Sequence, residues 1–412
     1  MSVPSYPAVQ TLAVIGAGVS GCALVARLRQ LGFTGEIGLW ETGRGPGGRA
    51  STRRSREDPG LQINHGAPFF NVATQPPPAL LAPLLEGGYV EPWTGQVALL
   101  HGERDLQLDR HDALSSGELY IGHGGMDRIG AGLLAVAQDA GTSPIRTHFS
   151  TLVRHLRHTP ETGWQLLDRE GELLGQADWL VLSGTLLAHP RTQLILGWPE
   201  VPLKQAAASL KDLQLEHALT MIAGIRSEAR SNLLVVLNPE AAAPWRALPF
   251  QLLAFDAAAQ QRWGLRRVSV QPLEDGRCAV VAHSTNAFAA DHLDVYGSRS
   301  AIAKMLELPP DAGREDTVIG ALTEVLDQAM VPFLGSPSGL GDADRQLMRW
   351  GAAFPVAPGL PSELSLCRHS KVGFCGDYIT GPGFGRIEGA LRSAERLADA
   401  LLGELQKSRE LV

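Results

Sequence analysis

The chain has 412 residues, of which 44% are hydrophobic and 19% charged, a length that exceeds one compact core and suits two domains of ordinary size. Its formal net charge of -7 leaves no general basic field for nucleic acid. No run of about 18 apolar residues is present to make a transmembrane helix.

The opening segment, MSVPSYPAVQ, lacks the positive charge and apolar core of a secretory signal, so a cytoplasmic protein is expected. Leu12 to Ile15 reads as an apolar strand that runs into Gly16-Ala17-Gly18-Val19-Ser20-Gly21. Cys22, Leu24, Val25, Leu28 and Leu31 then mark the apolar face of a helix that Gly32 stops. A second strand, in EIGLWE, ends at Glu41, twenty residues after Gly21. Each part suits a bound dinucleotide. Gly16 makes the tight turn, Gly18 lets the backbone approach a pyrophosphate, and Gly21 allows close packing of helix on strand. The helix start, with Val19 and Ser20, supplies free N–H groups for the phosphates. Glu41, followed by Thr42, would accept the two ribose hydroxyls, which suits FAD or NAD rather than NADP.

Residues 42–54, TGRGPGGRASTRR, add a second glycine turn that delivers an arginine. Gly48 and Arg49 fit a chain folding over a pyrophosphate, with the guanidinium offering a planar fork of donors. Arg44, Arg53, Arg54 and Arg56 are equally a solvated basic loop. Proline-rich TQPPPALLAPLL reads as a loop leading to a short helix. Residues 145–184 read as short strands, with Trp164, Leu166 and Leu167 on one and Trp179 to Leu182 forming a buried one. Farther on, RRVSVQPLEDGRCAVVAHST alternates and breaks at Asp275-Gly276, a hairpin signal, and EDTVIGALTEVLDQAMVPFLG is helical in period.

Near the C-terminus a short strand meets Gly376-Asp377, followed by a glycine-rich turn and a helix with Ile387, Ala390, Leu391, Ala394, Leu397, Ala398 and Leu401 on its apolar face. Asp377 there bonds a ribityl hydroxyl or simply caps a turn. Cys22, Cys278, Cys367 and Cys375 form no CxxC pair, and the histidines fall in no ligand spacing. Neither a disulfide framework nor a metal site is expected.

Taken together, GxGxxG, the acid, GGR and a terminal CGD…GxxEGAxxSAxxLA resemble the flavin-dependent amine oxidases, phytoene desaturases and their relatives. Within that superfamily the chain looks most like the renalase group, through GGRASTRR (47–54), NHGAPFF (64–70), YIGHGGMDRIGAGLLAVA (120–137) and VVAHSTNAFAADHLD (280–294). The resemblance implies an α/β fold with a discontinuous Rossmann-like FAD-binding domain (1–70, 118–187 and 346–412). It also implies a substrate domain (71–117 and 188–345) with a mostly antiparallel sheet and helices. It carries over noncovalent FAD, held by the glycine turns, Glu41, Thr42 and Arg49, by His65-Gly66-Ala67 beside the isoalloxazine, by Val153 near adenine, and by Gly376, Asp377, Arg386, Ile387 and Glu388.

His65, Phe70 (or its neighbour Phe69), His283 and Trp350 are the substrate-pocket candidates. An FF pair is also ordinary core, a lone histidine is also a satisfied sheet residue, and the spacing around Trp350 departs from the family pattern. The implied reaction is hydride transfer from a small substrate to flavin N5, with molecular oxygen reduced to peroxide. Dihydronicotinamide isomers lead the substrate classes. Competing readings are an amine oxidase, for which 6% aromatic residues make a cage harder to build, a desaturase, and a non-catalytic flavin-binding sensor or assembly protein. NPEAAAPWRALP and LELPPDAGRED look like insertions that reshape the pocket. Cys375, beside Gly376-Asp377, has no attachment pattern around it.

Overall fold

A computed structural model describes residues 10–109, 112–141, 143–298, 300, 303, 309 and 311–410. Nearly all of the opening segment, and four of the eleven residues of LELPPDAGRED, lie outside the described residues.

The apolar run Leu12–Ile15 sits inside a six-stranded sheet ordered Ile145–His148, Ile37–Trp40, Leu12–Ile15, Trp179–Leu182, Val372–Phe374, Leu366–Cys367. All neighbours pair in parallel except the last two strands. Parallel strands covered on both faces need continuous apolar sequence, which LAVI and WLVL supply. One face carries the helices Val19–Gln30, Arg128–Ala140 and Ile387–Glu410, through Leu24, Leu28, Leu133, Leu391 and Leu397. The other carries the helix Leu213–Gly224 and the small antiparallel sheet around Trp164, packed on Ala13, Leu180 and Leu182.

A second sheet of seven strands runs Asp344–Val356, Arg226–Leu237, Cys278–Ser284, Leu265–Pro272, Leu252–Phe255, Val97–His101, Asp105–Leu108. It is antiparallel apart from the Leu252–Phe255 and Val97–His101 pair. The expected hairpin at Asp275-Gly276 joins two of its strands. Side chains alternate along Arg226–Leu237, so Leu233, Val235 and Leu237 enter an apolar core while Arg230, Asn232 and Val236 line the opposite face. The helix Ala312–Leu334 covers the apolar side. At 23 residues it is long and apolar enough to span a membrane, yet its Val318, Leu322, Leu326 and Met330 are buried against this sheet.

Three expected boundaries move. Asp344–Val356 belongs wholly to the second sheet, so the division expected at 346 falls after Val356. Residues 71–92 pack Val72, Leu81, Leu84 and Val90 into the core beside the helix Arg128–Ala140, on the nucleotide side. Residues 188–225 pack Leu203, Leu215 and Ile222 onto the first sheet. NPEAAAPWRALP, expected as an insertion that reshapes the pocket, does not line the cleft. Its helix Pro239–Arg246 buries Trp245 in the second core, where the indole N–H donates to the Ser338 carbonyl at 2.8 Å.

Candidate functional site

A cleft of about 1640 Å³ opens between the carboxyl ends of the first sheet and the polar face of the second. Crevices at such strand ends are where doubly wound α/β proteins take their ligands. The volume exceeds the roughly 300–1,000 Å³ of a pocket for one small molecule.

The first wall is built by two glycine turns laid on each other. Gly16 holds φ +102, a conformation that favours glycine, and the Ser183 hydroxyl donates to its carbonyl at 2.7 Å. Gly18 leads into the helix start, and a side chain there would meet nothing within 4 Å, which leaves the backbone open to the cleft. At Gly21 a Cβ would stand 1.9 Å from the Gly16 carbonyl oxygen, so its task is helix-on-turn packing and it does not line the cleft. The Gly47 N–H donates to the Ala17 carbonyl at 2.8 Å, and Gly48, at φ +58, lies against Gly18. Val19, Ser20, Thr42 and the buried Val153 line the same wall. Glu41 is tied down: its carboxylate accepts the Ala17 N–H at 2.8 Å and the Gly43 N–H at 2.6 Å. Its remaining lone pairs are what a ribose diol can use.

Arg49 leaves the second glycine turn and meets Asp377 in a two-bond ion pair, at 2.7 and 2.6 Å, with a further bond to the Ala353 carbonyl at 2.7 Å. Asp377 is buried, whereas Arg49 keeps an open side toward the cleft. Gly66 passes so close beneath that a Cβ would sit 2.0 Å from the Arg49 carbonyl oxygen, and the Ala67 N–H donates to that oxygen at 3.1 Å. Nearby Arg191, held by Thr185 and Ser227, is lowered to about 10 by burial and by Arg49, with Asp377 opposing. Two guanidinium groups against one carboxylate leave this part of the cleft positive, as a pyrophosphate requires. Arg386 and Ile387 also line it.

Glu388 does not. It is fully buried, and its carboxylate accepts from the Ala73 and Thr74 backbone N–H groups, the Thr74 hydroxyl and Arg392. The expected cofactor contact is thereby corrected: this acid ties the last helix to the segment after Val72. Gly376 lies behind the wall, its N–H on the Ser393 hydroxyl at 2.9 Å.

The opposite wall carries the substrate-pocket candidates, and all four line the cleft. His65 stacks on Trp350 with ring centroids 5.6 Å apart, its Nε2 lies 3.1 Å from the Ser51 hydroxyl, and its Nδ1 has no partner. Burial, with Arg53 adding repulsion, lowers His65 to about 4. His283 is lowered well below its ordinary value by burial, Arg267, Arg230 and His65. Both imidazoles are therefore neutral at pH 7. Phe70 stacks on Tyr120 and Phe69 on Trp93; both phenylalanines are buried and serve as core as well as wall. The Asn232 amide donates to the His65 carbonyl at 2.8 Å and ties the segment of His65 to the second sheet.

Arg191, Arg230, Asn232 and Arg267 escaped the reading of the sequence. For Arg230 and Asn232 a signal exists in EARSNLLVVL, where polar residues precede the apolar run of one strand. Arg191 has none.

The fold is that of an α/β protein with a Rossmann-like domain, and the donor set of its cleft fits a dinucleotide. A family model described as an NAD(P)-binding Rossmann-like domain matches residues 14–81. No curated protein sequence matches the chain. Among solved structures, cyclohexylamine oxidase from Brevibacterium oxydans IH-35A superposes with a TM-score of 0.61 at 14% identity, covering 96% of this chain and 99% of that one. A putrescine oxidase mutant gives 0.58 at 12% identity, covering 96% and 99%. An oxidoreductase from Methanosarcina mazei gives 0.58 at 13%, covering 94% and 100%. This chain shares its whole two-domain fold with these proteins.

Proposed function

We propose that the protein is an FAD-dependent oxidoreductase that takes a hydride from a small substrate, with dihydronicotinamide isomers as the leading substrate class. The oxidase names of the structural neighbours and the FAD-type motifs support the cofactor and the reaction class. FAD, when bound, supplies the hydride acceptor and passes the electrons on to molecular oxygen. In this reading the chain's own residues divide the work of holding it. The N–H groups at the start of the helix Val19–Gln30 and the Arg49 and Arg191 guanidinium groups hold the diphosphate, Glu41 the ribose, and His65-Gly66-Ala67 the ring system.

One observation carries the substrate class. Asp377 is the only buried carboxylate lining the cleft among the described residues, and it is already paired with Arg49. The two imidazoles are neutral and weakly basic, His65 near 4. A substrate that must lose a proton to a buried side chain finds only a paired carboxylate and two weakly basic imidazoles. A dihydropyridine, which gives up hydride without a base, needs only to be positioned. Cys375 supports noncovalent attachment: it is fully buried, does not line the cleft, and burial pushes its thiol up to about 12.

The test is anaerobic mixing of the purified protein with dihydronicotinamide isomers, with 4-dihydro NADH and a primary amine as controls, read at the flavin band on the order of 450 nm. Bleaching by the isomers alone, reversed by air, is the expected result. Bleaching by the amine instead would move the assignment to the amine oxidases whose fold the chain shares. Bound flavin that no donor bleaches would favour the non-catalytic reading.

A further inference from the structure

Across three neighbouring strands of the second sheet, Asn232, His283 and Arg267 stand in one register row, Asn232 opposite His283 and His283 opposite Arg267. Opposed residues of antiparallel strands share a face, and here it is the cleft wall. All three are buried, at 1%, 6% and 7% exposure. Each nevertheless keeps a polar atom without a partner: Asn232 Oδ1, His283 Nε2 and Arg267 Nη2. Arg230, two positions before Asn232 and 3% exposed, adds its Nε. Buried polar atoms without partners are uncommon in folded proteins, and a cluster of them in a cleft points to a ligand.

Charge gives the ligand's sign. Three guanidinium groups, Arg230, Arg266 and Arg267, repel one another around the row. Glu228 bonds Arg230, and Asp112 stands 3.8 Å from Arg267 Nη2, beyond hydrogen-bonding reach. Burial lowers Arg267 to about 10; Asp112 opposes that shift while Arg266 and Arg230 add to it. Positive charge is in excess, and the free atoms of both arginines are donors.

We propose that the row Asn232–His283–Arg267, with Arg230 beside it, is the subsite for an oxyanion of the substrate, a phosphate or a carboxylate, so that the molecule oxidised in this cleft is an anion and not an ammonium ion. The proposal rests on the cleft being the substrate site of a flavin oxidoreductase and narrows what that site accepts. A guanidinium takes either oxyanion through parallel N–H donors. An alkylammonium group would instead add a cation to a wall already repelling its own. Asn232 Oδ1, an acceptor, suits an N–H or O–H of the same substrate.

The experiment is calorimetric titration of the full-length protein, saturated with added FAD to keep probes off the glycine turns, with inorganic phosphate, butyrate and butylammonium at constant ionic strength. The expected result is binding of phosphate or butyrate and none of butylammonium, the tighter of the two anions naming the oxyanion. Arg267→Gln weakens that binding roughly tenfold or more, and Arg267→Lys, which keeps the charge, recovers part of it. No anion binding, butylammonium binding as tight as the anions, or anion binding unchanged in Arg267→Gln would overturn the proposal. If Arg267→Gln fails to fold, the charge preference of the unmodified protein decides alone. Failure of the flavin reading looks different: the protein takes up no FAD, while an anion preference sensitive to Arg267 remains measurable.

Discussion

Arg49 and Asp377, 328 positions apart in the chain, close a two-bond ion pair at 2.7 and 2.6 Å that joins the GGR turn to the turn before the last helix. Both turns line the cleft, so the pair sets their spacing. Asp377→Asn leaves the guanidinium short of its charge partner on a buried side. The expected loss is roughly 1–3 kcal/mol of stability, below the value for a fully buried pair because Arg49 is partly open. Flavin retained per protein should fall with it, read as the ratio of flavin absorbance to protein after gel filtration; an unchanged ratio would remove the pair from the cofactor site.

Two glycines of the first turn should separate stability from binding. A methyl at Gly21 would lie 1.9 Å from the Gly16 oxygen, so Gly21→Ala is expected to cost about 1–3 kcal/mol in urea unfolding. Gly18→Ala meets nothing within 4 Å and has an ordinary backbone conformation, so its stability should stay within about 0.5 kcal/mol of the parent. Its methyl nevertheless occupies the approach to the backbone, and FAD affinity measured by fluorescence quenching should drop. Equal affinity for Gly18→Ala and the parent would mean the phosphates lie elsewhere.

His65 gives a pH dependence with a definite sign. Its folded value is about 4 against an ordinary 6.5, lowered first by burial and then by Arg53. Between these values the unfolded chain binds the proton and the folded one does not. The contribution is therefore fully present above pH 6.5 and is lost as pH falls toward 4, on the order of 3 kcal/mol in all. Urea unfolding at pH 7 and pH 4.5 should show a steeper decline for the parent than for His65→Gln. Parallel declines would place the imidazole in water.

Cys375 provides a check on attachment. Its thiol points at the Ser20 carbonyl, 3.8 Å away behind the wall. Acid precipitation should release all the flavin into the supernatant, and Cys375→Ala should retain as much flavin as the parent before that treatment. Yellow colour remaining in the pellet of the parent but not the variant would reveal a thioether.

The strand-turn-helix from Leu12, the hairpin at Asp275-Gly276 and the long helices were legible because their signals are local: period, glycine and apolar runs within one element. Gly16, Gly18, Glu41, Arg49, His65 and Asp377, drawn from separate motifs, line one cleft. Glu388 was misread because adjacency to a motif says nothing about which side of a helix a carboxylate leaves, and this one leaves toward Thr74. Domain limits were misjudged where apolar residues such as Leu84 and Leu215 were equally able to cover either sheet.

By itself the sequence determined that a glycine turn joins a strand to a helix, which residues form it, and which segments are strand or helix, because these depend on short-range sterics and hydrogen bonding. Only the tertiary structure decided that Asn232, His283 and Arg267, drawn from three separate strands, share one buried row in which each keeps a polar atom without a partner. Register between distant strands follows from packing of both sheet faces at once, a condition no local window of residues contains.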